Sequence, residues 1–141
     1  MKNILVAFLF STVCTICHAQ VPVPKTPSVS SLTDFVKPPS IGDIGKTSSG
    51  ITDKLTKELS LPSSQKPLLT DAVSGFLKKK EGILGLASSN PTSYLSKFSP
   101  MQNDLFGKMK GIMGASSFTK FLGLKPSGSD VKSNILSNLF F

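Results

Sequence analysis

The sequence predicts a small all-α protein, a helical bundle or hairpin of about four to five helices behind a disordered Pro/Ser-rich N-terminal arm. Three observations carry this reading. From Ile51 onward apolar residues recur at spacings of three, four and seven, the period of a helix face. Residues 20–50 lack that period and hold five of the ten prolines, Pro22, Pro24, Pro27, Pro38 and Pro39. The first nineteen residues have the order of a secretory signal.

In that signal, Lys2 opens a short positive start, Ile4 to Phe10 form an apolar run, and Cys17-His18-Ala19 make a small-residue exit, which predicts cleavage before Gln20. The run falls short of the roughly 20 apolar residues a membrane-spanning helix needs, so no transmembrane segment is expected in the processed chain. A lipid-anchored cysteine is disfavoured because Val13 precedes Cys14 and Ile16 precedes Cys17. The expected location is periplasmic or secreted. The expected division is 1–19 signal, 20–50 linker and 51–141 helical domain.

Proline fixes φ, removes a backbone donor and pushes the preceding residue to extended conformations, so 20–50 reads as a polyproline-like spacer. Its scattered apolar residues, among them Val29, Leu32, Phe35, Val36 and Ile41, offer a way to dock on the domain. Ile51, Leu55 and Leu59 then mark a short first helix that Pro62 stops. Leu69, Ala72, Val73, Phe76, Leu77 and Leu84 share one face of a long second helix, with Lys66, Asp71, Lys78 and Lys79 opposite. Asn90-Pro91 reads as a loop, and Ser99-Pro100-Met101-Gln102 as the start of a third helix bearing Leu105, Phe106, Met109, Ile112 and Met113 as far as Gly114. A fourth holds Phe118, Phe121 and Leu122, capped by Ser116 or Ser117, and a last one, capped by Ser129, holds Val131, Ile135, Leu136 and Leu139.

The stretch Leu59-Ser60-Leu61-Pro62-Ser63-Ser64-Gln65-Lys66-Pro67 resembles the LxLTPEQ segments of the small periplasmic LTxxQ proteins, the Spy-like stress chaperones, and Phe98-Ser99-Pro100-Met101-Gln102 is a second, closer copy. Physically the motif is a helix start, with a hydroxyl cap, a proline that pre-sets φ, and a Gln that reaches back to the cap's N–H. Over roughly residues 51 to 125 the resemblance implies a helical fold and a chaperone-like activity. Pro62 stands where the motif has its capping Thr, and the chain has no Arg to build the family's arginine-rich concave surface.

After residue 19 there is no His, Cys, Trp or Arg, which removes imidazole or thiolate metal sites, cysteine nucleophiles and His-dependent triads. No cofactor is expected, since the glycines stand singly and form no phosphate loop. Asp53, Glu58, Asp71, Glu81, Asp104 and Asp130 fall in no paired-carboxylate motif and read as solvated helix faces. A non-enzymatic binding protein is therefore expected. The processed chain keeps fifteen lysines against eight acidic residues, a net charge of +7, all on ammonium groups suited to loose, salt-screened attraction rather than bidentate recognition. Nucleic acid is not an expected partner of an exported chain.

Two binding modes follow. In the first, the protein holds apolar segments of protein clients, with Met101, Met109 and Met113 as adaptable contacts, although core filling is the commoner use of such a stripe. In the second, an accessory envelope protein lies on anionic lipid or glycan through Lys78, Lys79 and Lys80, a run that otherwise reads as a solvated helix face with the Lys80 stem partly buried beside Phe76 and Leu77. A monomer or homodimer is expected.

Overall fold

The computed structural model describes residues 35–141; the expected signal segment 1–19, with Cys14, Cys17 and His18, and residues 20–34 of the expected linker, with Val29 and Leu32, lie outside the described residues. The regular elements are all helical: α1 (Ile44–Glu58), a 3-10 turn (Ser63–Gln65), α2 (Lys66–Glu81), α3 (Leu86–Ser89), α4 (Pro91–Gly123), α5 (Asp130–Ser133) and α6 (Ser137–Phe140). This is the all-α class expected from the periodicity. The second helix lies between the other two long ones, packing on α1 to one side and on α4 to the other. Leu69, Val73, Phe76 and Leu77 of α2 meet Ile51 and Leu55 of α1 and Leu105, Phe106 and Met109 of α4 in one core. No helix among the described residues is long and apolar enough to cross a membrane.

The folded domain begins earlier than the periodicity predicts. Helix α1 starts at Ile44 rather than Ile51, with Asp43 as its cap: Asp43 Oδ1 accepts the Lys46 N–H at 2.7 Å. Ahead of it, Ile41 is buried, Phe35 packs edge-on against Tyr94 at 6.1 Å between ring centroids, and Thr47 Oγ1 donates to the Ile41 carbonyl at 2.6 Å. Residues 35–50 thus belong to the fold and not to the spacer. Their face escaped the apolar count because Ser48 and Thr52 fill half of it. Both are buried, and both hydroxyls turn back onto their own helix, Ser48 Oγ to Gly45 O at 3.0 Å and Thr52 Oγ1 to Ser48 O at 2.9 Å.

Helix α1 stops in a Schellman arrangement. The Leu61 N–H reaches the Thr56 carbonyl at 3.0 Å and the Ser60 N–H the Lys57 carbonyl at 3.4 Å, which places Ser60 in the left-handed region at φ 50°. Pro62 follows the stop rather than causing it.

Helix α4 begins at Pro91 and not at Ser99. Asn90 Oδ1 accepts the Ser93 N–H at 3.0 Å, and Pro91 occupies the first helical position. Pro100 sits inside the helix; there Ser99 Oγ donates to Leu95 O at 2.9 Å, and Gln102 reaches away to the C-terminal segment instead of back to a cap. The continuous face Tyr94, Phe98, Leu105 and Met109 holds the chain helical through a proline that costs about 3 kcal/mol in an unsupported helix. The first LTxxQ-like segment has no side-chain cap either. Helix α4 breaks at Gly114, where φ 80° and ψ 162° call for a residue without Cβ, and residues 115–123 continue with no cap from Ser116 or Ser117.

The expected last helix is instead two single turns. Asn134 between α5 and α6 is extended (φ −90°, ψ 121°), and its Oδ1 accepts the Leu136 N–H at 3.0 Å. Ser129 supplies no side-chain cap.

Ser60→Gly relieves the left-handed penalty of a side chain and should stabilise the protein by about 0.5–1 kcal/mol, read as a rise of a few degrees in melting temperature. A chain shortened to begin at Gly50 loses the α1 cap, Ile41 and Phe35, and circular dichroism should show the remaining helices less helical and melting at lower temperature than in the intact protein.

Candidate functional site

The three lysines singled out in the sequence do not act together. Successive helical residues point about 100° apart, so a run of three cannot share one face. Lys78 and Lys79 are exposed, whereas Lys80 is 0% exposed. Its position was legible: Leu69, Val73, Phe76 and Lys80 step by four, three and four, so the lysine continues the apolar stripe of α2. The Lys80 Nζ donates to the Asn138 carbonyl at 2.8 Å and lies 5.5 Å from the centre of the Phe98 ring. Removal from water pushes its pKa down to about 7. It is not placed to touch an anionic surface.

Lys79 instead lines a cleft of about 200 Å³ between α2 and α4. Ala72 and Phe76 from one helix and Met101 and Leu105 from the other contribute its apolar lining, and Asp71, Lys79, Asp104 and Lys108 its charged groups. Asp104 Oδ2 sits between two cations, 3.0 Å from Lys108 Nζ and 3.9 Å from Lys79 Nζ, with all three side chains about half exposed. Lys97, Met101, Asp104 and Lys108 fall on one stripe of α4 by their spacing, and Lys97 is exposed. The cleft therefore brings together one ammonium group from each helix, Lys79 and Lys108, with Asp71 and Asp104.

The methionines part in the same way. Met109 is fully buried and Met113 nearly so, both within the core, while Met101 is half-buried at the cleft. The large apolar side chains exposed among the described residues are Val36, Leu68 and Leu122. All six carboxylates weighed as catalytic candidates, Asp53, Glu58, Asp71, Glu81, Asp104 and Asp130, are exposed.

The sequence did not single out Tyr94 or Asn138, and it gave Gln102 only a capping role. The first stacks on Phe98 at 5.4 Å with its hydroxyl buried and without a hydrogen-bond partner, and burial raises its pKa. Gln102 Nε2 donates to the Leu139 carbonyl at 2.8 Å. A lone Tyr in an amphipathic helix carries no sequence signal that separates a buried role from an ordinary surface one, and the capping motif around Gln102 pointed to a local partner rather than a distant carbonyl. Compared with protein-family models, curated proteins and solved structures, the chain shows no match.

The two buried titratable groups give stability a signed pH dependence. Lys80 titrates near 7 when folded and near 10.5 when unfolded, so its contribution is complete above 10.5 and is lost as pH falls toward 7. Tyr94 has a folded pKa above its unfolded value of 10, so its contribution is present below 10 and is lost as pH rises beyond it. Stability should therefore climb between pH 7 and 10 by at most about 1.4 kcal/mol per unit and turn over above 10. Denaturant melts across that range check it, and Lys80→Met should remove the climb while leaving the alkaline turnover.

Proposed function

We propose that the protein binds anionic surfaces, phospholipid headgroups or acidic glycan, through the lysines around the α2–α4 cleft and without turnover. The observation that carries this reading is the convergence of Lys79 and Lys108 from two helices on one cleft, with Lys78 and Lys97 also exposed on those helices. Ammonium groups held loosely at a surface favour a planar array of negative charge, each contributing about 1 kcal/mol near an anionic membrane. Asp104 tempers the site by occupying both cations when nothing is bound.

The alternative, capture of apolar protein clients in the manner of the LTxxQ chaperones, has less behind it. Met109 and Met113 fill the core, and the large apolar side chains exposed among the described residues are three, Val36, Leu68 and Leu122, few for the broad patch such capture needs.

Binding to phosphatidylglycerol vesicles tests the reading. Affinity should fall steeply as salt shortens the screening length from about 10 Å at 0.1 M toward 3 Å at 1 M. Asp104→Asn should tighten binding about fivefold, and Lys79→Gln with Lys108→Gln should weaken it by an order of magnitude or more. Salt-independent suppression of client aggregation, together with no vesicle binding, would transfer the function to the client-capture reading.

A further inference from the structure

The last residues of the described chain are attached in an unusual way. Leu136 and Leu139 are fully buried, and Phe140 stacks on Phe121 at 5.1 Å, so this segment closes one side of the core. Its own structure is slight, since α6 has four residues where an isolated helix needs about 12–15 to hold itself in water. Contacts alone keep it in place. The polar ones run from the interior to its main chain: Lys80 Nζ to the Asn138 carbonyl and Gln102 Nε2 to the Leu139 carbonyl, each at 2.8 Å. Two groups gain nothing from closure, because Ser137 Oγ and Asn138 Oδ1 are buried without a hydrogen-bond partner and would be hydrated on opening. The link from α4 to α5 passes through Pro126 and Gly128, the latter at φ 58°, and carries no regular helix.

We propose that residues 134–141 form a detachable plug latched from beneath by the Lys80 amine, and that charging this amine loosens the latch and frees the segment while the three long helices stay folded.

The charge environment of the amine supports this. On α2 its neighbours Lys79 and Glu81 are exposed, with Lys79 directed to Asp104. On α4 the Phe98 ring faces it; Tyr94, stacked on that ring, is buried and uncharged, while Lys97 and Asp104 are exposed. The buried face of α1, Ser48, Ile51, Thr52 and Leu55, has no titratable side chain, and neither has 134–141, whose one ionisable group is the α-carboxyl of Phe141. Among the described ion pairs none includes Lys80. A charged amine in the closed state therefore has one carbonyl and one ring face for support, whereas in the open state it has water. Closure favours the neutral amine, so the opening constant rises up to tenfold for each pH unit of acidification between 10.5 and about 7 and levels off below.

Hydrogen exchange on the full chain, corrected for intrinsic rates and run between about pH 6 and 9, reads this directly. The Asn138, Leu139 and Phe141 amides are hydrogen-bonded within the segment and report its opening. Their protection should stay level up to about pH 7 and then rise by as much as tenfold per unit, while the Val73 to Leu77 amides of α2 do not follow. Lys80→Met should flatten the profile and raise protection at neutral pH. Gln102→Leu should lower protection of the same amides but keep their pH dependence, and this stands even if the Lys80 variant fails to fold. Protection of the segment that ignores pH in the unaltered chain, that moves together with α2, or that loses its pH dependence in Gln102→Leu would overturn the proposal.

Discussion

A lysine amine with no exposure to water, hydrogen-bonded to one main-chain carbonyl, sets the terms for the rest of this structure. Lys80 lies on the core stripe of α2, and a buried amine without an acceptor would cost more than a domain of ordinary stability can spare. The acceptor comes from Asn138, 58 residues away in sequence. Placing that carbonyl fixes α6 across the core, and with it Leu136, Leu139 and Phe140. Even the surface of α1 shows the consequence, since a Cβ on Gly50 would lie 2.9 Å from the tip of Ile135.

Aromatic contacts continue the same closure at both ends of the described chain. Phe35, Tyr94, Phe98 and Phe76 form one connected set, tying the segment before α1 to α4 and α2. Phe106, Phe118, Phe121 and Phe140 form another, tying α6 to the two limbs of α4 on either side of Gly114. Ring pairs of this kind contribute about 0.5–1.5 kcal/mol each beyond their buried area. Three long helices with one apolar face apiece leave the sides of their contact open to water, and both chain ends are used to seal them. This explains why segments that look like punctuation, Pro38 to Asp43 and Asn134 to Ser137, hold buried residues.

Inside and outside are charged on different principles. Among the described residues, the interior holds one amine and no carboxylate partner, which makes its charge state responsive to pH. The exterior holds weak, half-exposed pairs such as Lys66 with Asp53 at 2.6 Å and Lys108 with Asp104 at 3.0 Å, worth little to stability in water and easily exchanged for an external anion. The proposed surface function and the proposed latch therefore draw on lysines that neighbour one another in sequence yet sit in opposite environments.

Periodicity by itself determined the helical class, the body of α2, though not Leu84, which lies in a turn beyond the helix end at Glu81, and most of the core: Leu69, Val73, Phe76, Leu77, Leu105, Phe106, Met109 and Phe121 are buried as the 3.6-residue pattern requires, while Phe118 is half-buried and Leu122 partly exposed. It also contained the burial of Lys80, since that residue continues the stripe, although its charge made a solvated reading the natural one. Tertiary packing decided the rest. Local capping chemistry favoured a helix start at Ser99, but burial of Tyr94 and Phe98 outweighed it and carried α4 through Pro100. Ser48 and Thr52 joined a core face because their hydroxyls could be satisfied within α1, which no hydropathy pattern registers. The cleft and the latch each combine residues from helices distant in sequence, Lys79 with Lys108 and Lys80 with Asn138, and such pairings exist only once the helices have chosen which faces to bury.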